Sequence, residues 1–333
     1  MVYNKYIGII GGTGTIGSII VKYLLQLQTH FHVLIGGRRS IKEISMSTFY
    51  NSERLKYNQM NYNNDVELDN FCSQCLLVIN AVGPSFKIND KIALHALRNN
   101  CHYIDIGGYG ILRDLLKPYE KSIEAQKLCF IIGVGWMPGI SGVFSKTIIE
   151  THLNSPENTN FNIYYGAVDN WSYSSTYDLA ASSMGKTHSY VYSHGKEIQV
   201  SPFRYTHHKF FPFIGHKKIC MPSFDEQLTQ LATSLKQIRK ISTFIMLNDY
   251  ISMGKFMFIK IFYKHNLNKA TLMLQDDYQR LVKKENKWGS VICQVSKIEP
   301  ERKIDTFYYL YTKNNLLYTA LPAVITTQYI LEG

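Results

Sequence analysis

Gly12-Thr13-Gly14-Thr15-Ile16-Gly17 carries three glycines at a spacing with a physical purpose. The first permits a tight turn, the second lets a pyrophosphate approach the backbone, and the third allows a helix to pack closely on the preceding strand. Such a turn offers unpaired N–H groups and the positive end of a helix dipole to an anion. Arg38 follows Gly17 by twenty-one residues, with Arg39 beside it, and no Asp or Glu lies between His30 and Lys42. A carboxylate at that place would hold the ribose hydroxyls of NAD(H), whereas a pair of guanidinium groups suits the 2′-phosphate of NADP(H). Together the motifs predict an NADP(H) site. Ala180 to Thr187, AASSMGKT, fits a relaxed phosphate-loop pattern, but Ala replaces its first glycine. Ser172 to Asp178 is also too polar for the buried strand that should enter such a loop, so no ATP site is expected.

Further along, Tyr103, Asp105 and Tyr109 fall at the carboxyl end of one expected strand, where open α/β sheets bind ligands. Reduction of an imine needs a hydride and a proton or an iminium, which Asp105 could stabilise. His102 reads as structural. Lys186, His188, Tyr190 and Arg204 offer charge and donors for a substrate carboxylate. His207 and His208 would point to opposite faces of a strand, and Cys72-x-x-Cys75 lacks a second ligand pair, so no metal site is expected.

These residues need elements to position them. Tyr6–Ile10 reads as a strand, the glycine turn follows, and Ile16, Ile19, Ile20, Leu24 and Leu27 recur at helical spacing. Strands are expected over residues 31–35, 76–82, 102–106 and 129–134, separated by helical stripes at 92–97 and 119–128. This alternation predicts an α/β fold: an N-terminal Rossmann-type doubly wound parallel sheet over residues 1–145. Beyond it the rhythm changes to a second α+β substrate and dimerisation lobe over 146–318. Within that lobe, residues 161–168, 288–298 and 305–312 are strand-like and 227–262 mostly helical. Ala320-Leu321-Pro322-Ala323 is expected to begin a last helix, 319–333, packing back on the first domain.

Composition agrees with a large globular core: 45% of the 333 residues are hydrophobic and 18% charged, with 24 Tyr and 17 Phe. The formal charge of +11 favours anionic ligands, yet it is dispersed in short pieces such as Lys217-Lys218, and no nucleic-acid module is present. Six Cys without a signal peptide suggest reduced thiols and a cytoplasmic location. Residues 244–262 are apolar but interrupted by Asn248, Asp249, Lys255 and Lys260, which excludes an ordinary transmembrane helix and leaves peripheral membrane contact open. A homodimer is likewise left open.

Taken in order, GGTGTIG at 11–17, GRR at 37–39, NAVGPSF at 80–86, CHYIDIGG at 101–108 and GWMPGISG at 135–142 resemble the saccharopine dehydrogenase-like NADP-binding oxidoreductase family. The resemblance covers roughly the first 145 residues, and ALPAVITTQYILEG at 320–333 looks like the family's returning helix. It implies that Gly12, Gly14 and Gly17, with Thr13, Thr15 and Ile16 between them, hold pyrophosphate. It further implies that Arg38 and Arg39 meet the 2′-phosphate, that Asn80, Ala81, Val82, Gly83 and Pro84 border the nicotinamide ribose, and that Trp136 flanks the nicotinamide. Where many relatives have Glu after HYVD and a glycine, this chain has Tyr109, so a substrate-binding or proton-relay carboxylate is missing.

The expected function is an NADPH-dependent reductase acting on the C=N bond of an amino-acid-derived imine or opine-type substrate, with Asp105, Tyr109, Lys186 and His188 as candidate catalytic residues. Two alternatives stay open: an enoyl or ketone reductase on an acyl or carrier-bound substrate, and a non-catalytic NADP(H)-binding scaffold or sensor.

Overall fold

The structure, a computed structural model, describes residues 5–27, 30–40, 52–108, 110–152, 156–184, 189–263 and 265–332. The chain divides into two compact units, Met1–Met137 with Leu316–Gly333, and Pro138–Asn315.

In the first unit the elements run β1 (Tyr6–Ile10), α1 (Thr15–Gln26), β2 (Val33–Gly37), β3 (Leu55–Gln59), α2 (Asp65–Cys72), β4 (Cys75–Asn80), α3 (Ser85–Ile88), α4 (Lys91–Arg98), β5 (His102–Asp105), α5 (Gly110–Leu116), α6 (Glu120–Ala125) and β6 (Phe130–Ile132). All six strands are parallel, in the order β3-β2-β1-β4-β5-β6. The expected doubly wound sheet is therefore present, and the order reverses direction between β1 and β4, the place where such sheets bind ligands. One face buries Ile7, Ile9, Val33, Ile35, Leu77 and Ile79 against Ile20, Val21 and Leu24 of α1. Ala320, Ala323 and Val324 join the same cluster. The other face packs Leu34 and Val78 on Phe71, Ile92, Ala96 and Leu112.

The sequence reading misses β3 and α2. The strand LKYNQ lies at the sheet edge and is only half buried, so it lacks an apolar signature. Helix α2 did carry a capping signature: Asn64 caps the N–H groups of Val66 and Glu67, and Glu67 accepts from Asn61 N at 2.6 Å and from the Asn64 side chain at 2.8 Å. The expected helix at 119–128 is the shorter α6, and a 3₁₀ turn at Lys117–Tyr119 containing Pro118 separates it from α5. Cys72 ends α2 and Cys75 begins β4; both are buried, and burial pushes both thiols up.

The second unit continues with α7 (Ile140–Thr151), β7 (Thr159–Val168), α8 (Tyr173–Met184), β8 (Ser189–Ser193), β9 (Lys196–Val200), α9 (Pro202–Tyr205), β10 (His207–Phe210), β11 (Lys217–Pro222), α10 (Glu226–Ser234), β12 (Lys240–Leu247), α11 (Tyr250–Phe262), α12 (Leu267–Lys284), β13 (Trp288–Ile298) and β14 (Lys303–Thr312). Its mixed sheet runs β10-β11-β12-β7-β13-β14, with β8 paired to β12 and β9 to β8. An α+β second unit was expected, but the helical reading of 227–262 is corrected by β12. Seven of its eight residues are buried, so a strand covered on both faces shows no alternation to distinguish it from a buried helix. Aromatic packing dominates the core here, with Tyr164 stacked on Phe244 at 5.1 Å and edge-on to Phe211.

The last helix, α13 (Asn315–Glu332), starts earlier than expected, which puts Pro322 inside it rather than in its first turn. Among the described residues, no helix is long and apolar enough to cross a membrane, and no cluster of metal-ligating side chains occurs.

Asp249 both caps α11, accepting from Ser252 N at 2.8 Å, and takes two hydrogen bonds from Arg280 at 2.7 and 2.9 Å. Burial pushes its carboxyl up, but Arg280 and Ser252 outweigh that and hold it at about 2, below the ordinary 3.8. Stabilisation by the ionised form is then complete above pH 3.8 and lost as pH falls through about 2. Asp249→Asn is expected to lower the melting temperature at neutral pH and to flatten its fall across that acid window, measured by circular dichroism.

Candidate active site

Strand β1 delivers its chain into the glycine turn at Gly11, whose φ of +84° lies in the left-handed region that side chains disfavour. Gly11 N donates to Gly36 O at 2.8 Å, tying the turn to the end of β2. Helix α1 then passes so close that a Cβ on Gly17 would stand 2.2 Å from Gly11 O and 2.8 Å from Gly12 Cα. Gly14 is different: its added Cβ would meet only Gly11 O, at 3.1 Å, so its outer side is open. The first turn of α1 has no side-chain cap and no acidic residue, which leaves its N–H groups and dipole available to an anion.

Beside this turn, β2 ends in Gly37 and leads to Arg38 and Arg39, both exposed. Arg39 Nη2 donates to Thr13 O at 3.2 Å, so the arginine pair and the glycine turn are neighbours in space. Strand β3 fixes the arginine backbone: Gln59 Nε2 donates to Arg38 O at 3.3 Å and the Tyr57 hydroxyl to Arg39 O. The set fits NADP(H) on its chemistry: an uncapped helix N-terminus and an open glycine for pyrophosphate, and two guanidinium groups for the 2′-phosphate, with no Asp or Glu in the sequence between His30 and Lys42.

On the opposite side of β1, Asn80 ends β4 and lies in register with Ile10 and with Asp105. The segment Ala81–Pro84 follows, with a cis Gly83-Pro84 bond, and Ala81 N donates to Ile10 O at 2.9 Å. A Cβ on Gly11 would meet Val82 Cγ2 at 2.9 Å, so this segment borders the glycine turn directly. Asp105 is 2% exposed. Its Oδ2 accepts from Tyr103 Oη at 2.6 Å and Asn80 Nδ2 at 2.8 Å, and its Oδ1 from Gly107 N at 2.9 Å. Burial raises the Asp105 carboxyl above the ordinary carboxylate range, opposed by these hydrogen bonds. At 2% exposure and with three donors already on it, Asp105 offers little open surface to a substrate iminium. Asn80, Ser85, Phe86, Asp105, Gly108 and Ile111 line a pocket with room for about one water molecule.

His102 Nδ1 accepts from Cys129 N at 3.0 Å, as a structural histidine does, and burial lowers its pKa. Trp136 is 8% exposed and sits edge-on to Tyr318 of α13 at 6.0 Å. Tyr109, Lys186 and His188 lie outside the described residues. In the second unit, Ala180–Met184 close α8, so the AASSMGKT segment opens from a helix rather than a strand. Tyr190 is buried and stacked on Phe224 at 5.2 Å, while Arg204 is exposed on α9. The adjacent histidines separate as expected, His207 edge-on to Phe244 and His208 bonded to the Tyr250 hydroxyl at 3.0 Å.

Residues 7–129 match the family model of the Saccharopine dehydrogenase NADP binding domain. Among solved structures, the chain is similar to apo saccharopine dehydrogenase (L-Glu forming) from Saccharomyces cerevisiae, with a TM-score of 0.66 over 99% of this chain and 92% of that one. At 13% identity this is a likeness of fold. DAP dehydrogenase of C. glutamicum in complex with DAP is more distant, at 11% identity and a TM-score of 0.46 over 96% of this chain and 86% of that one. Comparison with curated protein sequences gives no match.

The glycines are expected to differ on substitution. Gly17→Ala forces α1 off the turn and should cost about 1–3 kcal/mol in denaturant unfolding, whereas Gly14→Ala should unfold close to the wild type.

Proposed function

We propose that this chain, whose residues 7–129 match the Saccharopine dehydrogenase NADP binding domain, is an NADPH-dependent reductase of the C=N bond in an amino-acid-derived imine or opine-type substrate. The observation that carries the cofactor half is the pairing of the open, uncapped glycine turn with two exposed arginines and no carboxylate at the end of β2. Gly12 to Gly17 hold the pyrophosphate through backbone N–H groups. Arg38 grips the 2′-phosphate, and Arg39 does so from its hydrogen bond to Thr13 O. Asn80 to Pro84 border the nicotinamide ribose, and Trp136 walls the nicotinamide end. Bound NADPH supplies the hydride; the chain's own residues orient it and exclude water. Lys186 and His188 are assigned to the substrate carboxylate and Tyr109 to the reacting end, on sequence position. The C=N substrate class rests on the family alone.

Fluorescence titration with NADPH and NADH tests the cofactor assignment. NADPH is expected to bind at least about tenfold tighter than NADH, and Arg38→Ala to abolish that preference by removing a charge-assisted contact. Gly14→Ala should weaken both nucleotides. Binding of neither by the wild type would sink the reductase reading. A panel of imine, enoyl and ketone substrates with NADPH then tests the reaction: turnover of enoyl or ketone substrates alone moves the assignment to an acyl reductase, and turnover of none leaves an NADP(H)-binding scaffold.

A further inference from the structure

Asp105 lies at the same register level as Asn80 and Ile132, on the edge of the sheet from which the nucleotide-binding turns emerge. Three donors converge on its carboxylate: the Tyr103 hydroxyl, the Asn80 amide and Gly107 N. A carboxylate that only accepts compels Asn80 to present its NH₂ group toward Asp105. The amide's other end, Oδ1, is thereby turned to Val82, whose N–H it accepts at 3.0 Å. Val82 in turn lies where a side chain on Gly11 would be, so the position of the Ala81–Pro84 segment sets one wall of the glycine turn.

We propose that Asp105 is a positioning residue for the nucleotide, acting through the polarity of the Asn80 side chain to hold Val82 and the Ala81–Pro84 segment against the glycine turn. This rests on the NADPH reading above and replaces direct contact between Asp105 and the reacting imine. Both side chains are 2% exposed, so the relay is a buried, one-directional chain: donors into Asp105, Asn80 Nδ2 to Asp105, Val82 N to Asn80 Oδ1. Reversing one member is costly. Under Asp105→Asn an amide oxygen kept toward Tyr103 and Asn80 sets the new NH₂ group against Gly107 N–H, and the opposite orientation sets it against the Asn80 NH₂ group; relief of the second by turning Asn80 over sets its NH₂ against Val82 N–H, and the segment loses its tether.

Fluorescence titration of the full chain with NADPH, paired with thermal melting, tests this. Asp105→Asn is expected to weaken NADPH about tenfold, the effect of one buried polar group left unpaired. The double substitution of Asn80→Asp with Asp105→Asn restores the chain in the opposite sense, since a carboxylate on β4 can accept both from the amide introduced on β5 and from Val82 N. It should bring affinity back to within about threefold of the wild type, a rescue that a generally damaged core would not show. If Asp105→Asn does not fold, Asn80→Ala, which deletes the link, should give a similar loss. Wild-type affinity in Asp105→Asn or Asn80→Ala, or no rescue by the double substitution, overturns the relay while leaving NADPH binding standing. Failure of the wild type to bind NADPH overturns the functional reading and the relay with it.

Discussion

A carbonyl oxygen at Gly11 lies 2.2 Å from where the Cβ of any residue other than glycine at 17 would stand. That steric condition lets α1 start directly over the end of β1, and several things follow from it. Ile20, Val21 and Leu24 can reach Ile7, Ile9 and Ile35 on the sheet. The uncapped first turn of α1 is held at the switch in strand order, where loops after β1 and β4 diverge. The helix dipole therefore points at a crevice whose walls come from neighbouring strands.

Buried polarity is handled in the two units by different means. In the first, Asp105 is surrounded by neutral donors, so its charge is solvated by dipoles fixed in the sheet edge. In the second, Lys218 is 2% exposed and meets Glu285 at 3.1 Å, the Asn248 side chain, and the face of Trp288 at 4.8 Å. Burial pushes this ammonium's pKa down and Glu285 pulls it back up. The pair joins β11 to the end of α12, so here charge is met by opposite charge rather than by dipoles.

What the sequence disclosed tracks where the physics is local. The glycine turn, the arginines after β2 and the strands at 6–10 and 102–105 announce themselves because short-range sterics and apolar runs specify them. Strand β12 did not, because burial on both faces erases its alternation. Edge strand β3 is nearly polar, and its value lies in holding Arg38 and Arg39 by their carbonyls, which no pattern in LKYNQ reveals. Asp105 was visible as a carboxylate at a strand end; that Asn80 meets it depends on register between β4 and β5, and that Tyr103 and Gly107 turn donors onto it depends on the local course of the chain. An acidic side chain in sequence carries no mark of how many donors will meet it.

Helix α13 completes one face of the first unit, since Ala320, Ala323 and Val324 sit in the same cluster as Ile20 and Ile35. The second unit, Pro138–Asn315, is thus threaded between β6 and the helix that finishes its host. During synthesis the ribosome must release that whole insertion before α13 becomes available, so the nucleotide-binding unit waits with an apolar face uncovered while its guest folds. Vectorial synthesis here gives the inserted unit the first opportunity to mature, and α13, made after it, acts as the latch on a sheet begun before it.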